Sequence, residues 1–520
     1  MTTGREKSDG RVVPEGRRKA VSTAHVRGGK ATTASEQARQ LELLSETADS
    51  PRGADGGTGS GLPDPEPRAV PKSESTPRDC MPAMTMEAVT SDENLMRAWN
   101  RVAANDGAPG PDRQTIRSVE RQLAGLLPVL RHQLLEGSYR PGTIRRVWIP
   151  KSGGGQRGLG IPDVVDRLVQ QAVQQVLSPH YEPTFHGSSH GFRPGRSCHT
   201  AITEAQGHLE EGHAWVVDLD LEKFFDRVHH DRLLARLAQR VSDHRLVRLI
   251  RQMLKAKVVM PDGVVVSTEE GTPQGGPLSP LLSNIVLDEL DQELTRRGHR
   301  FVRYADDCNV YVRSERSGQR VMASLVRFIE GRLRLKVNAT KSAVARPEER
   351  HLVGFRLRRE PLTGDVEVLL SARSKQRIDE KIRSLTPRNW GQPLPVCIER
   401  LNGYLRGWIG FFWLCTDERT LRGLDAHIRR RLRAMQLKQW KRKRVVVRHL
   451  IGLGVKRATA WRYVYRGRQS WWALSHTPAV DRGLRNAFFA DRGLVSIVEA
   501  RASLQARHRP APEQLALALG

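Results

Sequence analysis

Residues 301–312, FVRYADDCNVYV, alternate apolar and polar side chains on either side of two adjacent aspartates, Asp306 and Asp307. A period of two is the pattern of a strand with one buried face, so the stretch predicts an antiparallel hairpin with both aspartates in its turn. Short polar side chains that tolerate unusual backbone angles favour such a position. A second stretch has the same character. In AWVVDLDL, residues 214–221, Trp215, Val217, Leu219 and Leu221 fall on one face, and Val216, Asp218 and Asp220 on the other. A carboxylate therefore emerges near the end of that strand as well. The continuation EKFFDRVHHDRLLARL predicts a helix capped by Asp231.

Two acidic strand ends stand out in a chain of 520 residues with 85 Lys plus Arg against 57 Asp plus Glu, a net charge of +28. Clustered carboxylates repel one another unless they share a cation. Their oxygens suit Mg²⁺, whereas zinc takes His or Cys. Two Mg²⁺ ions roughly 3.5 to 4 Å apart are the usual arrangement for in-line phosphoryl transfer. Taken singly, an Asp-Asp pair is ordinarily just a turn. The charge excess points to a polyanionic partner, with nucleic acid first.

Other compositional features narrow the setting. The five cysteines lie too far apart for paired zinc ligands and do not suggest a disulfide framework. MTTGREKSDGRVV has no apolar core for a signal peptide, and GWIGFFWLC at 407–415 is too short to span a bilayer. The expectation is a cytoplasmic protein with no membrane partner.

No aromatic residue precedes Trp99, and stretches such as GADGGTGSGLPDPEPR cannot bury enough apolar surface to offset their ordering entropy. Residues 1–85 are therefore expected to form a disordered extension. From Met86 onward, Leu95, Ala98, Trp99 and Val102 fall at helical spacing, and Leu123, Leu126, Leu127 and Leu130 mark a second helix. IRRVWIPKSGGGQRGLGIP at 144–162 predicts a hairpin with Lys151 and Arg157 near its tip. GTPQGGPLSPLLSN at 271–284 places a Gly-rich loop before a helix with Ser279 as cap and Pro280 in its first turn. Leu282, Val286, Leu290 and Leu294 repeat along one face of that helix. The glycines are expected to let a nucleotide approach the backbone. RRRLRAMQLKQWKRKR, 429–444, carries nine cations in sixteen positions, namely Arg429, Arg430, Arg431, Arg433, Lys438, Lys441, Arg442, Lys443 and Arg444. They read as one basic face tracking an RNA phosphate backbone.

The ordered set DLEKFFD at 220–226, TPQGGPLSP at 272–280 and YADD at 304–307 resembles the reverse transcriptases of group II introns. NDGAPGPD, IPKSGGGQRGLGIPDVVDRLVQQA, HGFRPGRS, KVNATKS and HLVGFRL extend the resemblance over about residues 90–358. LNGYLRGWIGFF, the basic run and WWALSHTPAVDRGLRNAFF resemble the thumb, or maturase domain, of the same proteins. The implied fold is α+β: a right-hand polymerase with fingers and palm over 86–358, an α-helical thumb over 359–489, and a C-terminal tail from 490 to 520.

The resemblance also assigns roles. It makes Asp220, Asp306 and Asp307 the ligands of two Mg²⁺, and Phe225 the side chain that excludes a ribose 2′-hydroxyl. Lys151 and Arg157 hold the incoming triphosphate, Gln274 and Gly275 meet nucleotide and template, and Lys341 helps protonate the leaving pyrophosphate. Asp218 falls outside the motif and is expected at the surface. The partners implied are group II intron RNA, target DNA and deoxynucleoside triphosphates. The activities are RNA-directed DNA synthesis coupled to splicing and retrotransposition of the intron. No cysteine follows Cys415, so the cysteine-paired nuclease of the longest family members is not expected. Two other readings are a stand-alone reverse transcriptase serving defence or diversification, and a maturase that acts only in splicing.

Overall fold

Each strand of the palm is built from the alternation described above, and the register shows how the strands meet. The computed structural model describes residues 83–508 apart from 151–154, 388, 390 and 467–469. Lys151, the expected disorder of residues 1–82 and the final twelve positions thus lie outside the described residues. Helices α1 (Met86–Val89), α2 (Asp92–Ala104) and α3 (Ile116–Leu135) come first. Ser91 caps α2 by accepting from Asn94 N, and Leu95, Ala98, Trp99 and Val102 are buried. Strands β1 (Ile144–Pro150) and β2 (Gln156–Ile161) form the fingers hairpin, followed by α4 (Val164–Tyr181). Asn94 Nδ2 donates to Ala172 O at 3.1 Å and fixes α2 against α4.

The palm contains α5 (Cys198–Glu210), β3 (Trp215–Leu219), α6 (His230–Ala238) and α7 (His244–Leu254). Strands β4 (Val258–Val259) and β5 (Val265–Val266) extend the fingers sheet in the order β2-β1-β4-β5, with β4 parallel to β1. Then come α8 (Ser279–Arg296), β6 (Arg300–Tyr304), β7 (Asp307–Val312), α9 (Glu315–Phe328) and β8 (Ala343–Ala345). The palm sheet runs β6-β7-β3-β8, antiparallel at every step.

Both faces of β3 are covered, which alternation alone did not indicate. Val217 and Leu219 enter the main core with Leu282, Ile285 and Leu325. Val216 packs into a second cluster with Ala201 and Ile202 of α5 and with β9 (Phe355–Arg359) and β10 (Val366–Leu370). That hairpin shifts the expected boundary at 358, which would cut through β9. β9 pairs with β10 and packs against α5 at the back of the palm.

Two predicted caps are corrected. Asp231 lies inside the first turn of α6, whose cap is His229, and it pairs instead with Arg251 at 3.1 Å. Ser279 is the first residue of α8, and its hydroxyl donates back to Pro273 O at 2.6 Å.

The thumb is helical: α10 (Ala372–Leu385), α11 (Leu394–Phe412), α12 (Glu418–Trp440), α13 (Lys443–Gly452), α14 (Arg457–Tyr465), α15 (Trp471–Leu474), α16 (Pro478–Gly483), α17 (Asn486–Ala490) and α18 (Ile497–His508). The last helix corrects the expected tail from 490. Ile497 is buried in the thumb core. Buried Asp425 of α12 accepts from Ile497 N and Ser496 Oγ, both at 2.9 Å, and Asn402 of α11 donates to Gly493 O at 2.7 Å. The thumb therefore includes residues up to His508. Among the described residues no helix is long and apolar enough to cross a membrane.

Candidate active site

The register Leu219↔Cys308 between β3 and β7, continued by one residue, sets Asp220 beside Asp307. The pairing of Tyr304 with Asp307 closes the β6–β7 hairpin over two residues, Ala305 and Asp306. Asp307 thus begins the strand rather than sharing the turn. The unusual backbone angle falls on neither aspartate but on Ala305, with φ of +57°. Asp220 and Asp307 thus lie side by side at one end of the central palm strands, with Asp306 in the adjoining turn.

Asp220 is held by its backbone. Its N–H donates to Ser342 Oγ at 3.0 Å and its carbonyl accepts from Asn338 N at 2.8 Å. Its Oδ2 is buried without a hydrogen-bond partner, although the Lys341 ammonium stands 3.2 Å away, off hydrogen-bond geometry. Asp306 is half-buried, and its carboxyl is raised above the usual range, first by burial and also by Asp220; the charge of Arg157 opposes the rise. Asp307 reaches solvent at the start of its strand, yet protein crowds its carboxyl. Burial, then the charges of Asp306, Asp218 and Asp220, push it up to about 7. Like charges packed this way favour a shared cation or proton.

The donor set is all oxygen, and one of its carboxylate oxygens is buried without a hydrogen-bond partner, so these residues fit a hard divalent cation. Among the described residues, however, no three His, Cys, Asp or Glu side chains already converge tightly enough to hold an ion. At Asp220 the ammonium of Lys341 supplies the positive charge. Asp218 is not the surface residue expected from its place outside the motif. It is largely buried and ion-paired with Arg350 at 2.6 Å, and Arg350 also donates to the Lys341 carbonyl.

The nucleotide-side residues are stitched together. Arg157 Nε donates to Gln274 Oε1 at 2.8 Å, and Gly160 N donates to Gln274 O at 2.7 Å. A Cβ on Gly275 (φ +126°) would lie 2.4 Å from Gly160 O, and one on Gly276 would lie 2.1 Å from Gln170 Oε1. These glycines let the loop pack against the fingers strand and α4. Phe225, in a short 3-10 turn after Lys223 (φ +50°), is buried with its ring 5.3 Å from that of Phe224, and its carbonyl accepts from Thr272 N at 2.6 Å.

The basic run does not form a single face. Arg433 is buried: it donates to Asp481 at 2.6 Å and to Leu484 O at 2.8 Å, and is removed from any RNA surface. Arg431 ties α12 to Thr386, Arg430 lies over the Trp472 ring at 4.1 Å, Lys438 bonds Asn389 and Lys443 sits 5.5 Å from the Tyr465 ring. Arg429 is half-exposed, while Lys441, Arg442 and Arg444 are exposed where α12 gives way to α13. The acid that balances Arg433 comes from α16, out of reach of a local reading of charge.

Residues 149–357 match the family described as reverse transcriptase (RNA-dependent DNA polymerase), and residues 375–451 match the group II intron, maturase-specific domain. Protein YkfC of Escherichia coli K12 is 33% identical over 347 residues, covering 59% of this chain and 91% of its own. Group II intron-encoded protein LtrA of Lactococcus lactis subsp. cremoris is 42% identical over 160 residues, 31% of this chain and 26% of its own. An uncharacterized 91 kDa protein in the cob intron of Schizosaccharomyces pombe is 41% identical over 157 residues, covering 30% of this chain and 19% of its own. With both family models matched in order and a relative 33% identical covered over 91% of its length, the chain belongs to the reverse transcriptases that carry a group II intron maturase-specific domain.

Proposed function

We propose that this RNA-directed DNA polymerase extends a DNA primer on an RNA template from the Asp220, Asp306 and Asp307 cluster, and that its thumb grips the intron RNA whose splicing and mobility it promotes. The observation that carries the reading is the strand register that sets Asp220 beside Asp307. Asp220, Asp306 and Asp307 would hold two Mg²⁺, which supply activation of the attacking oxygen and neutralisation of the leaving group. The primer 3′ oxygen bonds to the α-phosphorus of a deoxynucleoside triphosphate as the bond to the β-phosphate oxygen breaks.

The chain's own groups do the positioning. Arg157, with Nε anchored on Gln274, directs its remaining donors at the triphosphate, a use of fixed cations against phosphate oxygens. Lys341 delivers a proton to the departing pyrophosphate. Phe225 closes the sugar pocket, so the product is DNA. Target DNA and deoxynucleotides are the partners besides RNA, and the site of action is the cytoplasm. The exposed Lys441, Arg442 and Arg444 bind RNA phosphates. The test is extension of a DNA primer on an RNA template with and without Mg²⁺, run beside splicing of the flanking intron RNA. Protein that makes no DNA at any Mg²⁺ concentration would leave only the splicing function.

A further inference from the structure

Behind the Ala305–Asp306 turn lies a charged pair shut off from solvent, Arg303 and Asp291, both 0% exposed. Nε and Nη2 of Arg303 reach the two Asp291 oxygens at 2.7 and 2.5 Å. Its other bonds go to the pieces around the turn: Nη1 donates to Ala305 O at 2.8 Å and Asn284 Oδ1 at 3.0 Å, and Nη2 to Ser189 Oγ at 2.7 Å. Asn284 Nδ2 in turn donates to Gly191 O at 2.9 Å. A Cβ on Gly191 would fall 2.3 Å from Ala305 N, so the 188–191 loop presses directly on the turn. The backbone closes the same circuit, with Arg303 N donating to Ser188 O at 2.9 Å and His190 N to Arg303 O at 2.8 Å.

A buried ion pair contributes little net stability compared with an apolar pair of the same volume, so its presence here calls for another role. The planar fork of arginine can bond both Asp291 oxygens and the Ala305 carbonyl at once, which a lysine point charge cannot. Ala305 needs that hold, because its φ of +57° is one that alanine rarely adopts.

We propose that Arg303, seated on Asp291 and Asn284, is a positioning residue for DNA synthesis: it fixes the Ala305 carbonyl, keeps the turn left-handed and so sets the Asp306 carboxylate beside Asp220. The inference rests on reading Asp306 as a catalytic carboxylate.

Arg303→Lys keeps a charge for Asp291 and loses the bond to Ala305. The expected result is a fall of about a hundredfold in kcat for single-nucleotide incorporation, the scale of a misplaced reacting group, with KM for the nucleotide essentially unchanged. Mn²⁺ binding to RNA-free protein, followed by electron paramagnetic resonance, should weaken, while RNA affinity stays at the wild-type value; melting temperature should fall modestly, because Asn284, Ser189 and the Ala305 carbonyl lose a buried donor. Asp291→Leu combined with Arg303→Met removes both charges and fills the same space with apolar atoms; it should keep RNA affinity and show the same loss of kcat. Wild-type kcat in either variant would overturn the clamp, as would a loss of RNA affinity that tracks the loss of kcat. Asp306→Ala is the control for the underlying reading: if that variant still polymerises, the assignment of Asp306 has failed rather than the clamp alone.

Discussion

The Lys341 ammonium lies 3.2 Å from Oδ2 of Asp220, where a divalent cation would share that carboxylate with its neighbours. Lysine and a bound metal ion would therefore compete for one oxygen. Lys341→Ala should lower the Mg²⁺ concentration for half-maximal synthesis while also lowering kcat. The shift should be a few-fold at most, because the lysine side chain is 64% exposed and exposed ion pairs contribute about 1 kcal/mol or less. A Mg²⁺ titration of primer extension checks it, and an unchanged midpoint would separate Lys341 from the metal site.

Asp306→Ala should abolish DNA synthesis and leave RNA binding and splicing assistance largely intact, since the exposed Lys441, Arg442 and Arg444 lie in the thumb. Parallel assays of extension and splicing on one protein preparation decide this. Equal loss of both activities would break the division of labour between palm and thumb.

Arg433 and its exposed neighbours should respond in opposite ways. Arg433→Ala leaves Asp481 without its arginine and should destabilise the thumb on the order of 2 kcal/mol, below the usual loss for a fully buried pair because the Asp481 side chain is 37% exposed. Arg442→Ala and Arg444→Ala should leave the melting temperature alone, weaken RNA binding and each reduce the salt-dependence slope by about one. Thermal melting and binding across a salt series give both readouts.

Asp288 of α8 is buried, its Oδ1 has no hydrogen-bond partner, and burial followed by the charge of Asp291 pushes its carboxyl up to about 6. Between the ordinary carboxylate value of about 4 and that raised value, the folded chain holds a proton that the unfolded chain releases. The stabilisation is thus fully present at low pH and lost as pH rises through about 6. Asp288→Asn keeps the neutral state at all pH values. It should melt higher than wild type at pH 7.5, by on the order of 2 kcal/mol, and match it near pH 4. A difference that does not change with pH would assign Asp288 a permanent charge.

Much of the site was legible because strand alternation is local. Val217 and Leu219 point inward and Asp220 follows them, and that is written in eight consecutive residues. What escaped depends on distant partners. The left-handed angle at Ala305 is imposed by Arg303 and the 188–191 loop, while the residue types pointed to the aspartates instead. Gly275 suggests open backbone, but Gly160 fills the space. Arg433 reads as one more cation in a run until Asp481, far along the chain, reaches it. Ile497, Val498 and Leu504 did carry a weak helical spacing, too short a signal to show that Asp425 and Asn402 wait to bind that segment.

The palm sheet also has a consequence in time. β3, which carries Asp220 at its end, lies between β7 and β8, and both of those strands are encoded after it. Chains leave the ribosome N-terminus first, and pairings between distant segments form late. A nascent chain that already contains Asp220 has no strand to pair with β3 until β7 has emerged, and the sheet is complete only at Ala345. A ribosome that stops before β7 therefore releases the fingers with β3 still unpaired.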